Sequence, residues 1–265
     1  MSSTGFCKIR DVVPEEIDSL IYLCVPPERR DDKLFIEGIN VKRAWASKSL
    51  DMFGGIAKIA YLDSTPVGLI QYQPRPEEKL IEITCIFVPD RQHQRKGIGR
   101  ALLNALIEDA KKPKKFFNNK PPQALITWAF RVPGYYPQNE FYLKMGFKKV
   151  KEDNPFLLYY PLKEGYVYHP KMEKFMPQEE DKGKALIFYD PSCPFCIYFA
   201  EQIKESIREV APSIPIRIIN MFEEAEEVEK RGQVPYCAVN GKPIMAFFMD
   251  KKNFQREVRE ALKED

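Results

Sequence analysis

Between Lys163 and Gly183 the chain reads KEGYVYHPKMEKFMPQEEDKG, and there the apolar rhythm of the preceding residues stops. A mostly polar run punctuated by proline and glycine is what connects separately cored bodies. Regular alternation resumes on its far side. The break limits the fold more than any other feature, because 265 residues would otherwise allow one large core or two ordinary ones, domains usually running to about 100 to 200 residues. The expected division is a first domain over 1–162, a linker over 163–183 and a second domain over 184–265.

Before the break, CKIRDV at Cys7–Val12 reads as a short strand, and VPEEIDSLIYLCV as a helix with proline and acids at its start. Asp31 to Leu50 is a helix whose apolar residues recur at Leu34, Ile36, Ile39, Val41 and Trp45, ended by Gly54 and Gly55. The strand-like runs IAKIAYLD, VGLIQYQ and LIEITCIFV follow, joined by short turns that favour antiparallel pairing. After a helix beginning near Ile98 come a strand, ALITWAF, a short helix, NEFYLKM, and a closing strand, FLLYYPL. The order implies an α/β domain with a mixed sheet flanked by helices. Beyond the break, ALIFYD, CIYFAEQIKESIREV, IPIRIIN, EEAEEVEKRG, YCAV, the hairpin dipeptide Asn240-Gly241, PIMAFF and NFQREVREALK spell a small βαβαββα unit.

A net charge of +3, with 44% hydrophobic and 30% charged residues, describes a globular protein and gives no case for a nucleic-acid partner. The lysines of KKPKKFFNNKPP, Lys111 to Pro122, fall between a helix and a strand, where a solvated loop is expected. The N-terminus has no apolar signal core, and no run approaches the roughly 18 apolar residues of a membrane span, so a cytoplasmic location without membrane contact is expected. Six cysteines with one close pair do not resemble a secreted disulfide framework.

In RQHQRKGIGRALLNALIED, Gln94, Gly97 and Gly99 satisfy Q-x-x-G-x-G between a strand ending at Val88-Pro89 and a long amphipathic helix. Glycines let the backbone turn tightly and bring bare N–H groups close to a ligand, while the helix N-terminus adds positive potential. A pyrophosphate fits such a turn, and Arg95, Lys96 and Arg100 add to the attraction. Leu102 stands where the dinucleotide fingerprint needs its third glycine, which disfavours a nicotinamide enzyme.

That motif after a V-P-D strand end, followed by F-Y-x-K-x-G-F in FYLKMGFKKV (Phe141–Val150), resembles the GNAT family of N-acetyltransferases, and the element order from Cys7 to Leu162 is similar to that fold. The resemblance implies acetyl-CoA, with the backbone amides of Arg95, Lys96, Gly97, Ile98, Gly99 and Arg100 on its pyrophosphate beside Gln94. It places Phe87 and Val88 where the strand splays from its neighbour, leaving main-chain groups for the pantetheine and a donor for the oxyanion of acyl transfer. Tyr142 occupies the signature tyrosine and is the expected acid for the CoA sulfur; its alternative is packing between helix and sheet. Glu82 falls where several members carry a glutamate that takes the amine proton, and simple alternation puts it on one face with Thr84, Ile86 and Val88. A solvent-facing carboxylate is the alternative there. Where many members have an asparagine touching the pantetheine arm, this sequence has Tyr135; Asn139, nearer the helix start, is the candidate replacement, and the alternative is that the glycine-proline loop RVPGYYPQ reshapes the cleft.

Cys193-Pro194-Phe195-Cys196 follows a strand and opens a helix, which favours a Cys193 thiolate able to attack disulfides. Val234-Pro235 precedes a strand where a thioredoxin-like fold has its cis-proline loop, and VPYCAVNGKPI resembles the corresponding glutaredoxin segment. FFMDKK replaces the usual Gly-Gly, so glutathione binding is not implied. An acetyltransferase joined to such a domain is similar to the YoaP-type architecture. Zinc sites also use C-x-x-C, with Cys237 as a possible third ligand, but the chain has only His93 and His169 and no companion pair; no metal is expected. Cys237, Cys7, Cys24 and Cys85 read as small core residues.

The expected protein is an acetyl-CoA-dependent N-acetyltransferase acting by direct transfer on a small-molecule or peptide primary amine, with an appended thioredoxin-like dithiol domain using Cys193 and Cys196. Two alternatives stay open. One is a thiol-disulfide oxidoreductase whose larger domain recognises CoA, and the other a non-enzymatic acetyl-CoA-binding module whose small domain docks a partner.

Overall fold

Strands whose central members are buried along most of their length line up in one mixed sheet in the first part of the chain. In the computed structural model, which describes residues 7–129, 135–171 and 174–263, they are β1 (Cys7–Asp11), β2 (Ala57–Leu62), β3 (Thr65–Arg75), β4 (Leu80–Phe87), β5 (Ala124–Trp128), β6 (Lys148–Lys151) and β7 (Asn154–Pro161). Their order is β1-β2-β3-β4-β5-β7-β6. Among the described residues of this sheet, only β4 and β5 are parallel. A parallel pair needs a crossover, and α3 (Ile98–Ala110) supplies it.

Ile98, Leu102, Leu103, Leu106, Ile107 and Ala110 recur at helical spacing on α3 and pack with Ile70, Tyr72, Ile81 and Ile83 of the sheet. Burying each large apolar side chain contributes about 1.5–3 kcal/mol, so the start of α3 is held firmly beneath the glycine turn. Helix α1 (Ile17–Tyr22) and α4 (Gln138–Lys144) complete this unit, which holds the described residues of Met1–Pro26 and Ala46–His169.

Strand β4 is irregular. Against β3, Gln71 pairs with Cys85 and Tyr72 with Ile83, so Thr84 is an extra residue, a β-bulge. Alternation reverses across it: Ile81 and Ile83 face the core under α3 before the bulge, and Ile86 and Val88 do so after it. The expectation that Glu82 shares a face with Ile86 and Val88 is therefore overturned; Glu82 lies on the opposite face with Leu80. Pairing of β4 with β5 stops at Ile83 and Thr127, whereas pairing with β3 runs on to Phe87. The two parallel strands part at the bulge.

The second unit, the described residues of Pro27–Trp45 and Pro170–Asp265, takes in the first part of α2 (Lys33–Phe53). Its sheet has β8 (Ala185–Tyr189), β9 (Ile216–Asn220), β10 (Cys237–Val239) and β11 (Lys242–Pro243) in the order β11-β10-β8-β9. Strands β8 and β9 are parallel, and β10 is antiparallel to both its neighbours. With α5 (Cys196–Arg208), α6 (Ala225–Glu229) and α7 (Lys251–Ala261) this gives the βαβαββα order. Ile187, Cys237 and Val239 meet Ile203, Ile207, Phe254 and Val258 in its core.

Two expectations are corrected, and one element was not foreseen. PIMAFF pairs as a strand only at Pro243; Ile244 N–H still donates to the Cys237 carbonyl at 3.0 Å, but the next two N–H groups, of Met245 and Ala246, turn to the Glu257 carboxylate at 2.7 and 2.9 Å, and Met245 and Phe247 are exposed. No peptide bond among the described residues is cis, so Val234-Pro235 is trans. The hairpin strand β6 was not foreseen; KKVK is too short and too charged to stand out.

Arg231 is wholly buried and fully engaged. Its Nε and Nη2 donate to the two Asp181 oxygens at 2.9 and 2.6 Å, its Nη1 to Glu227 at 2.8 Å, and its Nη2 also to Glu180 at 3.0 Å. Gln178 N–H donates to Asp181 as well, at 2.8 Å, fixing the turn that carries the carboxylate. Among the described residues, no helix is long and apolar enough to cross a membrane.

Candidate active site

The chain leaves β4 through a turn that its own side chains lock. Asp90 accepts from Gln92 N–H at 2.8 Å, and Gln94 Nε2 donates to the Val88 carbonyl at 2.9 Å. The motif glutamine thus closes the loop. Arg95 and Gly97 both take positive φ, 59° and 85°, and Gly97 caps α3. A backbone alternating in this way turns successive N–H groups toward one point, beside helix N–H groups that have no intrahelical acceptor.

That point opens onto a cavity of about 1030 Å³. Ile86, Phe87 and Val88 form one wall, His93 to Arg95 and Gly97 to Arg100 its floor, and Tyr135 to Gln138 with Phe141, Lys144 and Met145 the other wall. The sequence-predicted residues Phe87, Val88, Gln94, Arg95, Gly97, Ile98, Gly99 and Arg100 are all brought together here. Lys96 belongs to the same turn but does not line the cavity, nor does Asn139, Tyr142 or Glu82.

Among the lining residues not singled out as binding groups from the sequence are His93, Tyr135, Tyr136 and Lys144. Tyr135 packs on Phe87 with ring centroids 5.5 Å apart. Lys144 donates to the Tyr136 hydroxyl and lies over its ring, 5.0 Å from the centroid. The available signal was helical spacing, since Phe141 and Lys144 are three apart on α4 and share a face.

Among the described residues, the buried side-chain atoms with no hydrogen-bond partner include His93 Nδ1 on the cavity and Asn139 Oδ1 in the first turn of α4. Unsatisfied buried polar atoms are costly. An apolar-walled cavity with three cations (Arg95, Arg100, Lys144) and an unused imidazole nitrogen fits a long ligand that is part apolar arm and part phosphate.

Tyr142 is 1% exposed, packed between Phe141 and Phe147. Burial pushes its phenol well above the ordinary tyrosine value, opposed by a hydrogen bond with the Thr127 hydroxyl. Thr127 in turn donates to the Ile83 carbonyl at 3.0 Å. Since Ile83 and Thr127 are the last paired residues of β4 and β5, the phenol sits where the strands part. Glu82, by contrast, accepts from Arg75 Nε at 2.8 Å, from Arg75 Nη2 and from Gln73 Nε2 at 3.2 Å.

In the second unit, Cys193 is exposed in the turn before α5 and Cys196 is buried as the first residue of the helix. Burial pushes the Cys196 thiol up, and the neighbouring Cys193 adds to the shift. Among the described residues, no cluster of three His, Cys, Asp or Glu side chains forms a metal site.

Residues 21–147 match the model of the acetyltransferase (GNAT) family. They form a GNAT acetyltransferase domain. Among solved structures, the chain is similar to a PaiA N-acetyltransferase from Thermoplasma acidophilum in complex with coenzyme A, at 17% identity and TM-score 0.42 over 59% of this chain and 99% of that one. A GNAT-family acetyltransferase from Staphylococcus aureus gives 16% identity and TM-score 0.44, covering 60% of this chain and 100% of the other. The GNAT-family YhbS from Escherichia coli in complex with CoA gives 14% and 0.43, covering 64% and 93%. No curated protein sequence matches the chain.

Proposed function

We propose that the chain transfers an acetyl group directly to a primary amine, on a small molecule or a peptide, without a covalent enzyme intermediate. The observation that carries this reading is the parting of β4 and β5 at the Thr84 bulge, with the Tyr142 phenol at its apex and the cavity along the freed end of β4. Bound acetyl-CoA supplies an activated thioester carbonyl.

The turn from Arg95 to Arg100 would hold the diphosphate through backbone N–H groups, with the side chains of Arg95, Lys96 and Arg100 adding charge. The main chain of Phe87 and Val88 would pair with the pantetheine arm and offer an N–H to the carbonyl oxygen as negative charge develops there. Asn139 stands ready to donate or accept behind that wall. Tyr142, kept protonated by burial, holds its hydroxyl proton for the departing sulfur. Glu82 is the base by family position, but Arg75 and Gln73 hold its Oε2 and the side chain does not line the cavity, so its better role is to orient that edge of the acceptor side while the amine sheds its proton to water.

The second unit is read as a thioredoxin-like dithiol domain. Its strand order β11-β10-β8-β9 and the exposed Cys193 followed by the buried Cys196 at the start of α5 support the reading.

Release of free CoA with a panel of amines tests the transferase. Tyr142→Phe should lower kcat by about 100-fold with little change in the KM for acetyl-CoA, the usual size of a lost acid. Undiminished turnover would remove the phenol from the mechanism.

A further inference from the structure

Within the second unit, the first half of α2 lies directly on the C-P-F-C turn. A Cβ at Gly38 would stand 2.1 Å from the Pro194 carbonyl oxygen and 3.1 Å from its carbon, so only glycine permits this approach of helix to backbone. One turn earlier on the same face, Phe35 is buried edge-on against Phe195, ring centroids 4.9 Å apart, and against Tyr198 at 5.3 Å. The Arg29 guanidinium closes over Phe35 and Tyr198 at 5.7 and 5.8 Å from their centroids. As a result Pro194 is buried and Phe195 half-buried, while Cys193 stays exposed.

We propose that Phe35 and Gly38 make the Cys193–Cys196 dithiol selective for low-molecular-weight disulfides over disulfides held in folded proteins. This rests on the thiol-disulfide reading of the second unit. In the reaction, the Cys193 thiolate attacks one sulfur of a disulfide RSSR, a Cys193–SR bond forms, and the first thiolate leaves and takes up a proton. Cys196 then loses its proton and attacks the Cys193 sulfur, forming the Cys193–Cys196 disulfide and releasing the second thiolate, which is protonated in turn. Two electrons and two protons pass from the dithiol to RSSR, giving two RSH, and a thiol reductant restores the dithiol. A small disulfide needs only in-line access to one sulfur, which the exposed side of Cys193 gives. A disulfide within a polypeptide must lay flanking chain across the turn, where α2 already covers Pro194 and Phe195.

The test uses the full chain with dithiothreitol as reductant and compares bis(2-hydroxyethyl) disulfide with insulin. The wild type should reduce the small disulfide, with the rate lost in Cys193→Ser, and should act on insulin at least about tenfold more slowly, a modest specificity ratio. Phe35→Ala should raise the insulin rate by about tenfold and leave the small-disulfide rate within about twofold, as expected when an obstacle to one substrate is removed. If Phe35→Ala does not fold, Phe35→Leu, which keeps the burial but loses the ring contact with Phe195, is read in the same way. Equal rates on both substrates in the wild type, or an unchanged ratio in the Phe35 variant, would overturn the selectivity. Failure to reduce either disulfide would instead remove the thiol-disulfide reading, and the proposal with it.

Discussion

Glu82 illustrates how far a residue's place in a motif can differ from its condition in the fold. One oxygen of its carboxylate, Oε2, receives two hydrogen bonds from Arg75 and one from Gln73, and the side chain does not line the cavity. Glu82→Gln should therefore leave kcat/KM within about tenfold of the wild type, below the usual loss for a general base; a larger drop that shrinks as pH rises toward the pKa of the amine would reinstate it as the base. His93 is the complementary case, a side chain that the motif skips but whose Nδ1 is buried and unpaired on the cavity. His93→Leu should weaken CoA binding by about five- to tenfold, the worth of one hydrogen bond, and His93→Asn should restore much of it; calorimetry reads both. Tyr142 was legible because the F-Y-x-K-x-G-F spacing fixes it on α4. The face of Glu82 was not, because alternation assumes a regular strand and nothing in LIEITCIFV announces the extra residue at Thr84.

At the scale of elements, the site is the junction of an irregular strand and a rigid helix. Its glycine turn was legible since Gly97 and Gly99 stand between an apolar run and a 3.6-residue period. Gly97 has open space around a would-be Cβ but a φ of 85°. Gly97→Ala should thus cost about 1–2 kcal/mol through the left-handed backbone and also loosen CoA, seen as a lower Tm together with a raised KM; a normal Tm would mean the turn relaxes. Less legible were the ends of ladders. PIMAFF has the apolar content of a strand, yet its ladder ends where Glu257 takes the N–H groups of Met245 and Ala246, and β6 pairs in spite of its three lysines because β7 is there to receive it.

For the whole molecule, the order of helices and strands in both units followed from periodicity and punctuation, whereas the tertiary grouping did not: Pro27–Trp45 joins Pro170–Asp265 although the sequence separates them widely. The second unit is held at its edge by Arg231. Removing one partner of a buried pair strands the other charge, so Arg231→Ala should destabilise by about 3–5 kcal/mol, measured by denaturant melting. Burial acts to raise the Asp181 carboxyl, but Arg231 and the Gln178 N–H outweigh it and hold it below the ordinary value; hydrogen bonding from Lys230, with Arg231 beside it, brings Glu227 down to about 2. Depressed carboxyl values stabilise the fold above their unfolded values of about 4, and that stabilisation is lost as pH falls from about 4 toward about 2. The wild type should lose Tm steeply in that window and Arg231→Ala much less.

The guanidinium of Arg231 also decides where the chain can be cut. Asp181 and Glu180 precede β8, and Phe175 makes a β-bridge to Gly232. A fragment begun at the first apolar residue of β8 would leave Asp181 and Glu180 on the discarded piece and Glu227 as the carboxylate still paired with the buried cation, so an autonomous C-terminal half has to carry the polar stretch ahead of its first strand.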